Sequence, residues 1–227
     1  MLKIYTDTDT DMTPELAASY GYKLISMPYS VDAKTIYPYE DFDTFDGHAF
    51  YDMLRGGVLP TTSAISKERY IAYFEEDFKA GKSLDEVLEW ARTEVEHFAM
   101  YFFADDLKFF RRSGRVSGLA ATMGTLIGLR PIIHMSAEGK MVSLGTVKGR
   151  FKAMERLVDT VAQIGDEIQK YRICIGHTDA PEIAAEIGKM MTERFGPLDI
   201  EYVYVNPTAG SHCGPNGVGV AFHSKHR

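Results

Sequence analysis

The chain has 227 residues, enough for one large domain or two small lobes with a substantial core. Hydrophobic residues make up 45% and charged residues 25%, as is ordinary for a soluble globular protein. The formal net charge of -7 argues against nonspecific nucleic-acid binding, because such binding depends on neutralisation of phosphates by Lys and Arg.

The amino terminus and the cysteines favour a cytoplasmic protein. The first residues predict a short strand and lack the long apolar stretch of a signal peptide. Apolar stretches elsewhere are too short to cross a bilayer, so we expect no stable membrane insertion. Cys174 and Cys213 lack the paired spacing of a metal site, and a reducing compartment suits them better than a disulfide framework. The sequence leaves open whether these two form a bond.

The first half of the chain predicts a βα unit followed by helices. A strand over 2–6 precedes an acidic loop, Thr13 caps a helix that ends near Gly21, and a second strand starts at Lys23. Strand, helix and strand at this spacing favour a parallel sheet. Three further helices are predicted over 46–55, 66–78 and 83–95. The last two meet at Lys79–Lys82, where a parallel lobe would normally insert a strand.

The second half predicts a mixed series of strands and helices. Strands are expected over 99–104, 130–135, 140–147, 173–176, 198–205 and 217–222. Helices are expected before residue 115 and over 150–170 and 181–195. We place a lobe boundary near residue 98. The predicted fold class is α/β, with a parallel-sheet first lobe over 1–98 and a second α/β lobe over 99–227.

The acidic loop Asp7–Asp11 has three interpretations. A calcium loop is disfavoured because its sixth and twelfth positions lack the required Gly and Glu. A magnesium-dependent phosphatase would use Asp9 as nucleophile and Asp11 as acid–base, with Asp105–Asp106 binding the metal. In the third interpretation the side chains cap the loop and the first helix. Capping of backbone N–H groups is the simplest explanation for Asp9. For Asp7, both capping and a functional role stay open.

Three other segments carry polar residues that packing does not require. The turn Pro60–Ser63 contains Thr61, Thr62 and Ser63, and capping alone does not need the two neighbouring threonines. Arg115 adds a cation in a turn, and His212 lies among small residues that allow close approach of a ligand. Hydroxyls, an imidazole and a guanidinium together suit a carboxylate or phosphate group. An anionic ligand is therefore the first hypothesis.

The order of five motifs resembles the DegV family. They are Asp7–Met12, Leu59–Ser63, Asp105–Ser117, Gly128–Ile132 and Gly210–Gly217. Such proteins resemble the fatty-acid-binding subunit of bacterial fatty acid kinase. The resemblance implies a long-chain fatty acid held between two lobes, with its carboxylate presented to a separate kinase subunit. It also implies a protein without catalytic residues, metal or cofactor.

The resemblance assigns roles to the polar residues. Thr62 would donate a hydrogen bond to the lipid carboxylate, with Thr61 and Ser63 beside it. Arg115 and His212 would lie near the head group and the surface offered to the kinase. The tail would supply most of the affinity, because each buried CH₂ contributes about 0.8 kcal/mol.

The chain departs from the family pattern in the first lobe. Between Phe78 and Ser83 the family has a further strand and a serine-rich loop that supplies a second head-group hydroxyl. Their absence here explains the direct joint at Lys79–Lys82. Two alternatives to lipid presentation therefore stay open: the phosphatase, and an interaction module that has lost lipid binding.

Overall fold

The computed structural model describes residues 4–42, 44–75, 95–105, 108–113, 116–117 and 128–226. These residues form two compact units. The first unit contains the described residues up to Glu75 and the returning segment Val205–Ser211, and the second unit contains the rest. The lobe boundary predicted near residue 98 divides the chain only once. It therefore does not account for the segment Val205–Ser211, which belongs to the first unit. The helix predicted from Ser83 and the joint at Lys79–Lys82 lie outside the described residues.

The first unit begins with the predicted βα unit. Strands β1 (Ile4–Asp7) and β2 (Tyr22–Ile25) pair in parallel, and helix α1 (Pro14–Ser19) connects them. The hydroxyl of Thr13 caps α1 by accepting a hydrogen bond from the Leu16 N–H at 3.2 Å. The predicted cap and the parallel pairing are both confirmed.

A small antiparallel sheet follows, which the sequence did not predict. Its strands are β3 (Tyr29–Val31), β4 (Lys34–Ile36) and β5 (Thr61–Thr62), in the order β4-β3-β5. The turn between β3 and β4 has positive φ at Asp32 (49°) and Ala33 (64°). Two such residues are typical of a tight hairpin turn, but Gly is usual at the second position. Strands of two or three residues are too short to show an alternating pattern.

Two helices of the first unit were predicted. Helix α2 (Gly47–Arg55) is capped by Asp46, which accepts the Ala49 N–H at 2.9 Å. Helix α3 (Lys67–Glu75) is capped by Ser66. The buried face of α2 carries Phe50, Tyr51 and Leu54.

The second unit contains a mixed sheet. Its described strands are β6 (Phe98–Phe103), β7 (Val116–Ser117), β8 (Leu129–Met135), β9 (Met141–Lys148), β10 (Ile173–His177), β11 (Ile200–Tyr204) and β12 (Val218–His223). Their order is β11-β10-β12-β6-β8-β9-β7. Pairs β10–β11 and β7–β9 are parallel, and the other neighbours are antiparallel.

The remaining described helices are α4 (Lys108–Ser113), α5 (Arg150–Ile164), α6 (Pro181–Phe195) and α7 (Pro207–Cys213). The predicted extension of α5 to residue 170 is wrong. The chain turns at Gly165, where the Asp166 N–H donates to the His223 carbonyl oxygen and a β-bridge joins Gly165 to Ser224. Among the helices of the described residues, none combines the length and hydropathy needed to cross a bilayer.

The core of the second unit lies between its sheet and two helices. Tyr101 and Phe103 of β6 belong to the same buried cluster as Leu157 of α5 and Ile187 of α6. Phe102 points to the opposite face and packs in a smaller cluster with Phe110, Ile133 and Ala104. Both faces of the central strand are therefore apolar.

Candidate functional site

The predicted hydroxyl turn forms strand β5. Thr62 lies opposite Tyr29 and Thr61 opposite Ser30 in the antiparallel pairing with β3. Because successive side chains of a strand point to opposite faces, the two threonines do not share a side. Thr61 is exposed and Thr62 is half-buried. Of the two threonines, Thr62 is therefore the better placed for its hydroxyl to bind a ligand.

The other predicted site residues differ in exposure and in secondary structure. Ser63 follows β5 and is exposed, and His212 is half-buried in the last turn of α7. No helix was predicted in the glycine-rich end, but Pro207–Cys213 is helical, so His212 projects from a helix. Arg115 lies outside the described residues, and its place near a head group stays a prediction.

The cysteines and the other histidines have structural settings. Cys174 and Cys213 are partly buried and are not joined by a disulfide bond. The Nδ1 of buried His177 accepts the Ala180 N–H at 3.3 Å, and burial lowers the pKa of this imidazole. His223 is buried and stacks on Tyr171 with 3.8 Å between ring centroids. Burial with contacts of this kind is typical of structural histidines.

The acidic loop after β1 is fixed partly by its own backbone. The Asp7 carboxylate accepts the Asp9 N–H at 3.0 Å and caps a short 3-10 turn over Thr8–Thr10. The buried hydroxyl of Thr8 accepts the Met27 N–H at 2.9 Å. The capping interpretation is thus confirmed for Asp7.

Asp11 makes a contact that local capping does not provide. Its φ of 59° is left-handed, and its Oδ1 accepts the Asn206 N–H at 2.6 Å from the returning segment. Burial raises the pKa of Asp11 to about 7, the Asn206 N–H lowers it, and the Asp9 carboxylate raises it further. No local sequence pattern predicts this contact, since the two residues are 195 positions apart.

Asp9 lies between Asp7 and the returning segment. Partial burial raises the pKa of Asp9 to about 6, repulsion from Asp7 adds to the rise, and the Thr208 hydroxyl opposes it. The Asp9 side chain remains in contact with solvent, which fits a smaller rise than that of Asp11. The loop therefore concentrates negative charge at the junction with Val205–Ser211.

The returning segment is anchored to helix α2 as well. The Tyr51 hydroxyl donates to the Val205 carbonyl oxygen at 2.6 Å. Gly210 lies so close to this ring that an added Cβ would stand 2.4 Å from the Tyr51 hydroxyl oxygen. The predicted site contained neither Tyr51 nor Thr208, because an aromatic residue on an apolar helix face and a threonine near a proline look structural in sequence.

This geometry disfavours the phosphatase interpretation. Asp11 would act as acid–base, but its carboxylate is bound to a backbone N–H. Asp105 would bind magnesium, but it forms ion pairs with Arg130, at 2.5 Å between Nε and Oδ1, and with Arg150. Two guanidinium groups leave this carboxylate poorly available to a metal ion.

Comparison with known proteins assigns the family. The family model described as an uncharacterised protein of the DegV family matches residues 78–225, more than half of the chain. The chain belongs to the DegV family. A DegV domain-containing protein of Clostridium perfringens is 22% identical over 284 aligned positions, covering 96% of each chain.

Solved DegV structures share the fold. A DegV-family protein of Thermus thermophilus, described as binding fatty acid, has a TM-score of 0.82 at 18% identity and covers 99% of this chain and 100% of its own. DegV of Bacillus subtilis, described as a fatty acid binding protein, has a TM-score of 0.80 at 18% identity, with coverage of 98% and 99%. The α/β fold class is therefore confirmed.

The DegV comparison also bears on chain length. The alignment with the Clostridium protein spans 284 positions, more than the 227 residues of this chain, so that relative carries residues that this chain lacks. The family match begins at residue 78, next to the expected joint at Lys79–Lys82. The alignment length is consistent with the missing internal segment expected from the motifs, and its place in the first lobe stays a prediction.

Proposed function

We propose that this DegV protein binds a long-chain fatty acid and presents its carboxylate to a fatty acid kinase subunit in the cytoplasm. Family membership carries the proposal, because the structural relatives are described as fatty-acid-binding proteins. The protein would act as a carrier and not as an enzyme. The ordered motifs of the sequence point to the same family.

The half-buried Thr62 is proposed to donate a hydrogen bond to the carboxylate, with Ser63 and Thr61 contributing less. A hydroxyl donor orients the acid end without adding charge. The hydrocarbon tail would supply most of the affinity at about 0.8 kcal/mol per buried CH₂. Arg115 and His212 are proposed to act nearer the surface that meets the kinase.

Mass spectrometry of an organic extract of the purified protein tests lipid binding directly. We expect a long-chain fatty acid in the wild-type extract and at least a several-fold lower amount after Thr62→Ala. Thr146→Ala is the matched control, because Thr146 is an exposed strand threonine outside the proposed site. His212→Ala should keep the lipid and reduce phosphoryl transfer by an added kinase subunit.

Two results would count against the proposal. Equal retention by wild type and Thr62→Ala would remove the assigned role of Thr62. A wild-type extract without fatty acid, from protein of confirmed intact mass, would favour the module that has lost lipid binding.

A further inference from the structure

One face of the small antiparallel sheet carries a row of three residues, one from each strand. Tyr29 of β3 lies opposite Ile36 of β4 on one side and opposite Thr62 of β5 on the other. Residues that stand opposite each other in paired strands point to the same face of the sheet. Thr62 therefore shares its face with an aromatic ring and an aliphatic side chain.

The other face of the same sheet is polar. Its row consists of Thr35, Ser30 and Thr61. The hydroxyl oxygens of Ser30 and Thr35 are 3.2 Å apart, and both Thr35 and Thr61 are exposed. This row forms the solvent side of the sheet, so the row of Tyr29 is the side that packs against the protein.

The side chain of Tyr29 is held at its ring and not at its hydroxyl. Tyr29 is 6% exposed, and its ring meets Phe50 of α2 edge-on with 5.4 Å between the ring centroids. Within the described part of the chain, the Tyr29 hydroxyl makes no hydrogen bond, and its oxygen is not sealed from solvent. A buried tyrosine usually gives its hydroxyl a partner. Packing explains the ring of Tyr29 but leaves its hydroxyl without a role.

The phenol of Tyr29 is suited to donate a hydrogen bond to an anion. Burial raises the pKa of Tyr29, and the Asp41 carboxylate raises it further, so the hydroxyl keeps its proton at neutral pH. Asp41 itself accepts the Tyr37 N–H at 2.6 Å. A carboxylate has two oxygens and accepts several hydrogen bonds, whereas the Thr62 hydroxyl donates only one. A second donor on the same face can therefore bind the second oxygen.

We infer that Tyr29 is a second head-group donor, which binds the fatty-acid carboxylate together with Thr62 and favours an acid over an uncharged lipid of the same length. The inference rests on the proposed function, because it adds a residue to the same site. Hydrogen bonds to an ionised acceptor are stronger than those to a neutral one, so the loss of this donor should weaken the binding of an acid most.

Competition binding with palmitate and 1-hexadecanol tests this role. Each lipid displaces a fluorescently labelled fatty acid from delipidated full-length protein. Tyr29→Phe keeps the ring that packs on Phe50 and removes the hydroxyl. We expect its affinity for palmitate to fall by about threefold to tenfold, and its affinity for 1-hexadecanol to change by less than about twofold.

Tyr20→Phe is the matched control. Tyr20 is a tyrosine of the same unit that is 44% exposed, so removal of its hydroxyl should leave the affinity for both lipids unchanged. Urea unfolding of the lipid-free protein gives a second readout. The midpoint should be the same in wild type and Tyr29→Phe, because the hydroxyl has no partner among the described residues.

Three results would overturn the inference. They are wild-type affinity of Tyr29→Phe for palmitate, an equal loss of affinity for palmitate and 1-hexadecanol, and a lower urea midpoint for Tyr29→Phe without lipid. The second would place the effect on the tail, and the third would show that the hydroxyl already has a protein partner. Failure of the proposed function is distinct, since wild type would then have no affinity for palmitate.

Discussion

The two units of the protein are stabilised in different ways. The second unit has a large apolar cluster between its sheet and helices α5 and α6, with Leu157 and Ile187 almost fully buried. In the described part of the first unit, strands are short, and the returning segment is held by individual contacts of Tyr51 and Asp11. The second unit is stabilised by an extended apolar cluster. In the first unit, specific polar and steric contacts of the returning segment add to the buried apolar residues of α2.

This difference suggests where function resides. Polar residues buried in the second unit, such as Thr178 and His177, are satisfied by nearby backbone groups. In the first unit, burial raises the pKa values of both Asp9 and Asp11, so these carboxylates lie in an unfavourable setting. Groups that destabilise the fold are candidates for binding, because folding alone does not explain them.

The largest expected effect is in the core of the second unit. Leu157→Ala removes a side chain that is 1% exposed and should lower the free energy of unfolding by about 2–5 kcal/mol. Urea unfolding followed by circular dichroism measures this change. Phe151→Ala on the same helix is the control, because Phe151 is 58% exposed and its loss should change stability by less than about 0.5 kcal/mol. Equal effects of the two changes would contradict the assignment of Leu157 to the apolar core of the second unit.

A medium effect is expected where the returning segment contacts α2. Gly210→Ala would place a Cβ 2.4 Å from the hydroxyl oxygen of the fully buried Tyr51 and should cost about 1–3 kcal/mol. Gly188→Ala is the control: its Cβ would also meet a tyrosine hydroxyl, but Tyr202 is 46% exposed and can move away. Urea unfolding should show the larger loss for Gly210→Ala.

Tyr51→Phe tests the same contact from the side of the tyrosine. Alone it removes the hydrogen bond to Val205 and should cost about 1 kcal/mol. Combined with Gly210→Ala it also removes the clashing oxygen, so the double variant should lose less stability than the sum of the single changes. Simple additivity would show that the ring does not set the position of the segment.

The smallest expected effect is at the turn between β3 and β4. Ala33 has a φ of 64°, which Gly adopts without strain, so Ala33→Gly should stabilise the protein by about 0.5–1 kcal/mol. Ala18→Gly, at an exposed position of helix α1, should instead destabilise by about 1 kcal/mol. The sign of each change is read from the midpoint of thermal unfolding, and a loss of stability in Ala33→Gly would contradict the turn geometry.

Local signals predicted much of the fold. The structure confirms the predicted Thr13 cap and the predicted helix starts near residues 46 and 66. It also confirms the predicted helix over 181–195, which is α6. The small sheet of β3, β4 and β5 was not predicted. The predicted end of α5 was wrong. Both depend on pairing with distant parts of the chain, for which the local sequence carries no pattern.

The residues of the candidate site also fall into two groups: those predicted from the sequence and those found only in the structure. Motif order gave the family and drew attention to Thr62, Asp9 and His212, because hydroxyls, acids and an imidazole between glycines are visible along the chain. Only the tertiary structure brought Asn206 and Thr208 to the acidic loop, since contact across almost the whole chain arises from the path of the backbone. The sequence by itself therefore determined the elements and the family, and folding decided which polar groups meet and which are buried without a counter-charge in the described residues.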